Sequence, residues 1–212
     1  PTLTKAMEFG QEKAQQVIRL ASTFVFLLAA PLVVGGTILA RPIIALTMNK
    51  AFLTGNTSIY WGADLAFQLM IIGFLFAFLT VVFSYTLVAQ DQQKKLLIIN
   101  LIGVIFNITT NLIFIPTYGF IAAGITTIAS EALIMTLCLH AAKKLIPISI
   151  DVKTFAKIAI AAVLMGLVIF IVPNSIHVLI RILIGIIIFG LLLFPLKLIT
   201  PEIRHILITK NS

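Results

Sequence analysis

The sequence predicts an all-α integral membrane protein with six transmembrane helices. Three observations carry that prediction. Of the 212 residues, 60% are hydrophobic and only 10% charged, against about 45–50% and about 25% in a soluble domain. Mean hydropathy is +1.16. The apolar residues gather into runs of roughly 20, the length needed to cross ~30 Å of hydrocarbon, and Lys and Arg stand mainly at the ends of those runs.

Residues 1–17 set Lys5, Glu8, Glu12 and Lys13 among Ala6, Met7, Phe9 and Val17. That pattern suits a short interfacial helix or a solvated linker. The first span is expected over 20–40, bracketed by Arg19 and Arg41. Pro31 at its centre removes a helix hydrogen bond and predicts a kink or local break, and Gly35 and Gly36 permit close approach of another helix. Residues 42–60 are the longest connection. There Pro42 can start a helical turn through Met48, Thr54-Gly55-Asn56-Thr57 has turn chemistry, and Tyr60 and Trp61 mark a membrane interface. The second span is expected over 63–88, with Asp64 at its edge as a surface charge.

Gln90 to Lys95 make a tight polar turn. The third span is expected over 96–115, followed by a turn through Pro116, Thr117, Tyr118 and Gly119. The fourth runs over 120–139 and is closed by Lys143 and Lys144. Pro147, Asp151 and Lys153 form a polar connection to a short fifth span, 154–172, in which Lys157 must snorkel to the interface. Pro173-Asn174-Ser175 turns the chain into a sixth span, 178–196, followed by a basic tail with Lys197, Arg204 and Lys210.

Charge then sets the topology. Of the 15 basic residues, all but Arg41, Lys50 and Arg181 fall on one side of the alternating connections. The positive-inside rule assigns that side to the cytoplasm, so both ends of the chain are expected there. The net charge of +8 is explained by this bias. Nucleic-acid binding is not expected, because the basic residues are not clustered with exposed aromatics. The single cysteine, Cys138, lies in an apolar run and reads as a small buried hydrophobe. With no initiator Met and no signal-peptide core, the chain is expected to be the C-terminal part of a longer protein.

The stretch from Lys94 to Glu131 carries polar groups at membrane depth, where they are costly unless partnered or useful. Glu131 is a lone carboxylate near the middle of the fourth span, with Thr126, Thr127 and Ser130 beside it. It can serve as an ion or substrate site, or as a structural group bonded to a neighbouring Asn or Ser. Asn107 and Asn111, at i and i+4, share one helix face and can bind sugar hydroxyls or hold two helices together. Thr127 completes the set of pathway candidates. Arg19 and Arg181 are candidate phosphate contacts, since the guanidinium fork matches phosphate oxygens; an interface anchor is the alternative for each. His140, His177 and His205 make no metal-ligand spacing. No catalytic residue, metal or cofactor is expected.

The run Gly103, Asn107, Asn111, Ile115-Pro116-Thr117-Tyr118-Gly119, Ala122-Ala123-Gly124, Thr127, Ser130-Glu131 resembles the C-terminal region of polysaccharide-export flippases. These belong to the multidrug/oligosaccharidyl-lipid/polysaccharide exporter superfamily. Leu28, Pro31, Gly35 and Arg41-Pro42-Ile43-Ile44 fit the first span of that region, and Pro1-Thr2-Leu3-Thr4 resembles the end of the span before it. The resemblance implies two six-helix bundles followed by an extra helix pair. Residues 1–17 would be a cytoplasmic linker, 18–145 the last four helices of the second bundle, and 146–212 the extra pair with its tail; the first bundle would be missing. It implies a transporter, not an enzyme, that flips polyprenyl-pyrophosphate-linked oligosaccharide across the cytoplasmic membrane by alternating access. Its partners would be that lipid-linked substrate, membrane lipids and the missing bundle. The alternatives are a peptidoglycan lipid-precursor flippase, a drug/cation antiporter, or a structural membrane subunit. An antiporter would carry more acidic groups inside the bundle than Glu131. A membrane transferase is disfavoured because residues 42–60 contain no Asp, Glu or His.

Overall fold

The computed structural model describes residues 10–48, 52–55 and 62–196. Tyr60 and Trp61, the start of the amphipathic segment and the basic tail from Lys197 lie outside the described residues. Within them the chain forms α1 (Gln11–Thr47), α2 (Ala63–Ala89), α3 (Gln93–Tyr118), α4 (Phe120–Lys143), α5 (Val152–Ile171) and α6 (Val178–Leu193). Five of these are long and apolar enough to cross a membrane. The sixth expected span is shorter than the sequence implied. α6 has 16 residues and rises about 24 Å, because residues 194–196 form a turn and Pro195 has no N–H to extend the ladder.

α1 differs most from expectation. It is one helix of 37 residues, about 55 Å long. The polar turns after Gln11 belong to it and do not form a separate interfacial helix. Residues 11–19 are strong helix formers with no breaker between them and the span, and Ala14 and Ile18 are buried. Of the kink or local break expected at Pro31, the break does not occur: the helix runs through both Pro31 and Pro42, as membrane helices do where neighbouring turns and helices hold the backbone. The third span likewise continues past Pro116 to Tyr118. The turn into α4 is the single residue Gly119, at φ +60, a conformation only glycine adopts cheaply.

Two cores share α1. In the first, Ala14 and Ile18 pack with Val82, Phe83 and Leu87 of α2, Ile99 of α3, and Cys138 and Ala142 of α4. The connection after α4 closes it with Ile146 and Ile148. The second joins Ala30 and Leu39 of α1 to α5 (Ile158, Ala161, Ala162, Met165, Ile169) and α6 (Val178, Phe189). The two glycines of α1 serve different neighbours. A Cβ at Gly36 would collide with the Ile71 side chain of α2, and the Met165 methyl of α5 lies 3.6 Å from where a Cβ at Gly35 would stand. Elsewhere α4 lies between α2 and α3, which touch each other little.

The polar ends are tied down locally. Asp64, expected as a surface charge, is only 7% exposed. Its Oδ1 accepts hydrogen bonds from the Thr54 N–H (2.9 Å) and hydroxyl (2.6 Å), so the first turn of α2 anchors the connection before it. Arg41 donates to the Thr54 carbonyl at 3.2 Å. Lys157, expected to snorkel, donates to the Leu196 carbonyl at 3.3 Å. Asp151 caps α5, accepting from the Thr154 N–H (3.1 Å) and hydroxyl (2.8 Å). These bonds from Thr154, with Arg19 nearby, hold the Asp151 carboxyl below the usual carboxylate range.

Two outcomes are expected. Gly36→Leu overpacks against Ile71 and lowers stability by about 1–3 kcal/mol; Ile71→Ala in the same chain recovers part of it, both read by thermal unfolding in detergent. A carboxyl depressed in the folded state stabilises above its unfolded pKa and loses that contribution as pH falls through the folded one. Asp151→Ala therefore costs about 0.5–2 kcal/mol at neutral pH. Its deficit against wild type narrows in acid, below about pH 4.

Candidate functional site

α3 and α4 each present polar side chains one turn apart on a single face: Asn107 and Asn111 on α3, Thr126 and Ser130 on α4. Helix geometry makes i and i+4 neighbours, and the register set by the one-residue turn at Gly119 brings the two pairs opposite one another. The Thr126 hydroxyl donates to Asn111 Oδ1 (2.5 Å). Asn111 Nδ2 donates to Asn107 Oδ1 (2.9 Å), Asn107 Nδ2 to Ser130 Oγ (3.0 Å), and Ser130 Oγ to the Thr127 carbonyl (2.9 Å). The bonds run head to tail, each polarising the next. Below them Ile134 packs where Gly103 has no side chain, so small residue and ladder together hold α3 to α4.

Thr126 and Ser130 join the ladder although the sequence points to them only as neighbours of Glu131. Their signal was the shared i, i+4 spacing with Asn107 and Asn111. Thr127, a pathway candidate, stays outside the ladder: its hydroxyl donates to the Ala123 carbonyl of its own helix (2.8 Å) and the residue is exposed. Glu131 is half-buried. Its carboxylate forms no hydrogen bond or ion pair with any described residue, so the bond to a neighbouring Asn or Ser that a structural reading requires is not made. On α4, Gly124 and Ile128 meet Leu69 and Gly73 of α2, while Thr126 and Ser130 face α3. At 100° per residue, Thr127 falls between these two contact faces, and Glu131 lies within about 20° of Gly124, at the edge of the face that meets α2.

The two arginines lie at opposite ends of α5. Arg19 is exposed on α1 and is a charge neighbour of Asp151 at the start of α5. Arg181 is 4% exposed and binds Asn174 Oδ1 (2.9 Å) and the Ile169 carbonyl (3.0 Å) near its end. Asp151 and Ile169 are 18 residues apart, about 27 Å along a helix, so the two guanidinia cannot grip one pyrophosphate. An apolar groove of about 640 Å³ runs between α1, α5 and α6, with Pro31, Gly35 and Gly36 along one wall and Ile182, Gly185 and Ile186 along the other. Among the described residues no three of His, Cys, Asp and Glu come close enough to hold a metal.

The described residues thus form an all-helical chain with five helices able to cross a membrane, a polar ladder between α3 and α4, and a half-buried carboxylate, Glu131, outside that ladder. The sequence model of the lipid II flippase MurJ family matches residues 1–189, and the chain belongs to that family. A solved structure described as lipid II flippase MurJ in an inward closed conformation shares the fold, with a TM-score of 0.74 and 22% sequence identity. It overlaps 94% of this chain, and this chain spans 42% of that one. No curated protein matches the chain in sequence. Within the exporter superfamily, the family match favours the peptidoglycan-precursor branch over polysaccharide export.

The ladder makes a quantitative forecast. Interhelical hydrogen bonds of this kind contribute about 0.6–2 kcal/mol. A double-mutant cycle of Asn107→Ala and Ser130→Ala, followed by thermal unfolding, should return a coupling in that range. The same cycle between Asn107 and Thr127 should return none.

Proposed function

We propose that this chain is the second half of a flippase that moves lipid II, the lipid-linked peptidoglycan precursor, between the leaflets of the cytoplasmic membrane. The family match over residues 1–189 carries the reading. The surplus of Lys and Arg at one set of helix ends supports placing that end, and both ends of the chain, in the cytoplasm. α1 to α4 then form the last four helices of the second bundle and α5 and α6 the added pair. The bundle rocks against a first bundle outside this chain to expose a central site alternately to each side.

In this reading the pathway candidates divide. Asn107 and Asn111 have both amide groups committed to the ladder and serve as a rigid plate. Glu131, without a partner among the described residues, is the group left to meet an ion or the substrate. A carboxylate kept at this depth is a functional candidate by its cost alone. Arg19, exposed at the Lys-rich end, remains a candidate phosphate contact; Arg181 has its terminal nitrogens engaged.

The test uses the intact protein at matched membrane levels and follows the appearance of the lipid II headgroup in the outer leaflet. Wild type is expected to transport and Glu131→Gln to lose transport with normal abundance. Unimpaired Glu131→Gln would return Glu131 to a structural role. Transport of a polysaccharide repeat unit in place of lipid II would sink the substrate assignment.

A further inference from the structure

We propose that Arg181 is a positioning residue: its guanidinium supplies the donor that Pro173 denies to the end of α5, and so fixes one wall of the apolar groove. In an α-helix the Ile169 carbonyl would accept the N–H of residue 173. That residue is proline and has none. Arg181, reaching back from the first turns of α6, donates Nη2 to this carbonyl at 3.0 Å and Nη1 to Asn174 Oδ1 at 2.9 Å. One planar group therefore holds both the last turn of α5 and the connection that follows it. No ion pair to Arg181 is found among the described residues; the negative end of the α5 dipole faces its charge instead. Its Nε is buried without a partner. Carrying a buried cation with an unmet donor is a poor way to fill space, since an apolar side chain would fill it at no such cost. The two bonds are what the arginine adds.

The consequence reaches the groove through Ile169. Its side chain lies 2.7 Å from where a Cβ of Gly185 would stand and 4.0 Å from that of Gly35. Ile169 is thus the wedge between α5, α6 and α1, and Arg181 holds the backbone of that wedge. This holds whichever lipid the protein carries.

The test places spin labels at Leu32→Cys and Ile186→Cys, both exposed on the groove, in the intact protein with Cys138→Ala, in lipid nanodiscs. Pulsed EPR should give one narrow distance in wild type and a broadened, displaced distribution in Arg181→Leu. Arg181→Lys should broaden it too, because an ammonium lacks the fork that spans both acceptors. Pro173→Ala supplies an N–H and releases Val172 from the extended conformation that a following proline imposes, so that α5 can lengthen and this N–H can reach the Ile169 carbonyl; adding it to Arg181→Leu should narrow the distribution again. A pure packing role would not produce that recovery. An unchanged distribution in Arg181→Leu, or broadening that Pro173→Ala leaves untouched, overturns the proposal. Should Arg181→Leu fail to reach the membrane, Asn174→Ala removes one of the two bonds: intermediate broadening supports the assignment, and none defeats it.

Discussion

The closeness with which α2 and α5 approach α1 at two adjacent positions governs the rest of this fold. Between helices in lipid there is little hydrophobic driving force, so van der Waals contact and a few hydrogen bonds decide which helices meet. Gly36 yields its side-chain volume to Ile71 and Gly35 faces Met165, while Gly166 on α5 receives Val34 and Ile38 from α1. One helix thus gives a face to each of the two cores. An actual break at Pro31 would let the two faces swing apart, and the four-helix group and the α5–α6 pair would lose their common axis. The continuity of α1 through its prolines is therefore part of how the molecule is assembled.

Polar groups in the membrane-spanning region are handled in three ways. The asparagines of α3 and the hydroxyls of α4 satisfy one another in a chain that ends on a backbone carbonyl. Ser22, Thr37, Thr80 and Thr86 donate to carbonyls four residues back on their own helices. Where a helix end is left open, a side chain from another element closes it. Arg181 closes α5 and Asp64 receives the connection before α2. All three follow from the absence of water as an alternative partner.

The apolar runs made the helices legible in the sequence, because burial in lipid selects on length and composition alone. Their ends were less legible. Gln11 to Arg19 are polar yet helical, since propensity continues where hydropathy stops. Pro116 reads as a stop yet sits in the last turn of α3, while Gly119 alone turns the chain. The spacing of Asn107 and Asn111 was readable, and so was that of Thr126 and Ser130. Their pairing was not, because it depends on the axial offset of two helices, which no spacing within one helix encodes. The burial of Asp64 and Arg181 is hidden from the sequence for a related reason. Each lies near a helix end, where solvent is the ordinary partner, and each is instead covered by a neighbouring connection that composition does not reveal.

Glu131 stands apart from these solutions. Its neighbour Ser130 donates to the Thr127 carbonyl and accepts from Asn107, Thr127 donates to Ala123, and both Asn111 amide atoms are engaged. The ladder thus engages the Ser130 and Thr127 hydroxyls and one N–H of each asparagine, and none of these bonds goes to the carboxylate. What remains is a rigid plate with one half-buried acid beside it on α4, at the edge of the face that meets α2. A charge in that position is tolerable only where water, an ion or another polar surface reaches it. The bonds that make Asn107 and Asn111 structural run to one another and to the α4 hydroxyls, and Glu131 stands outside them with no partner among the described residues.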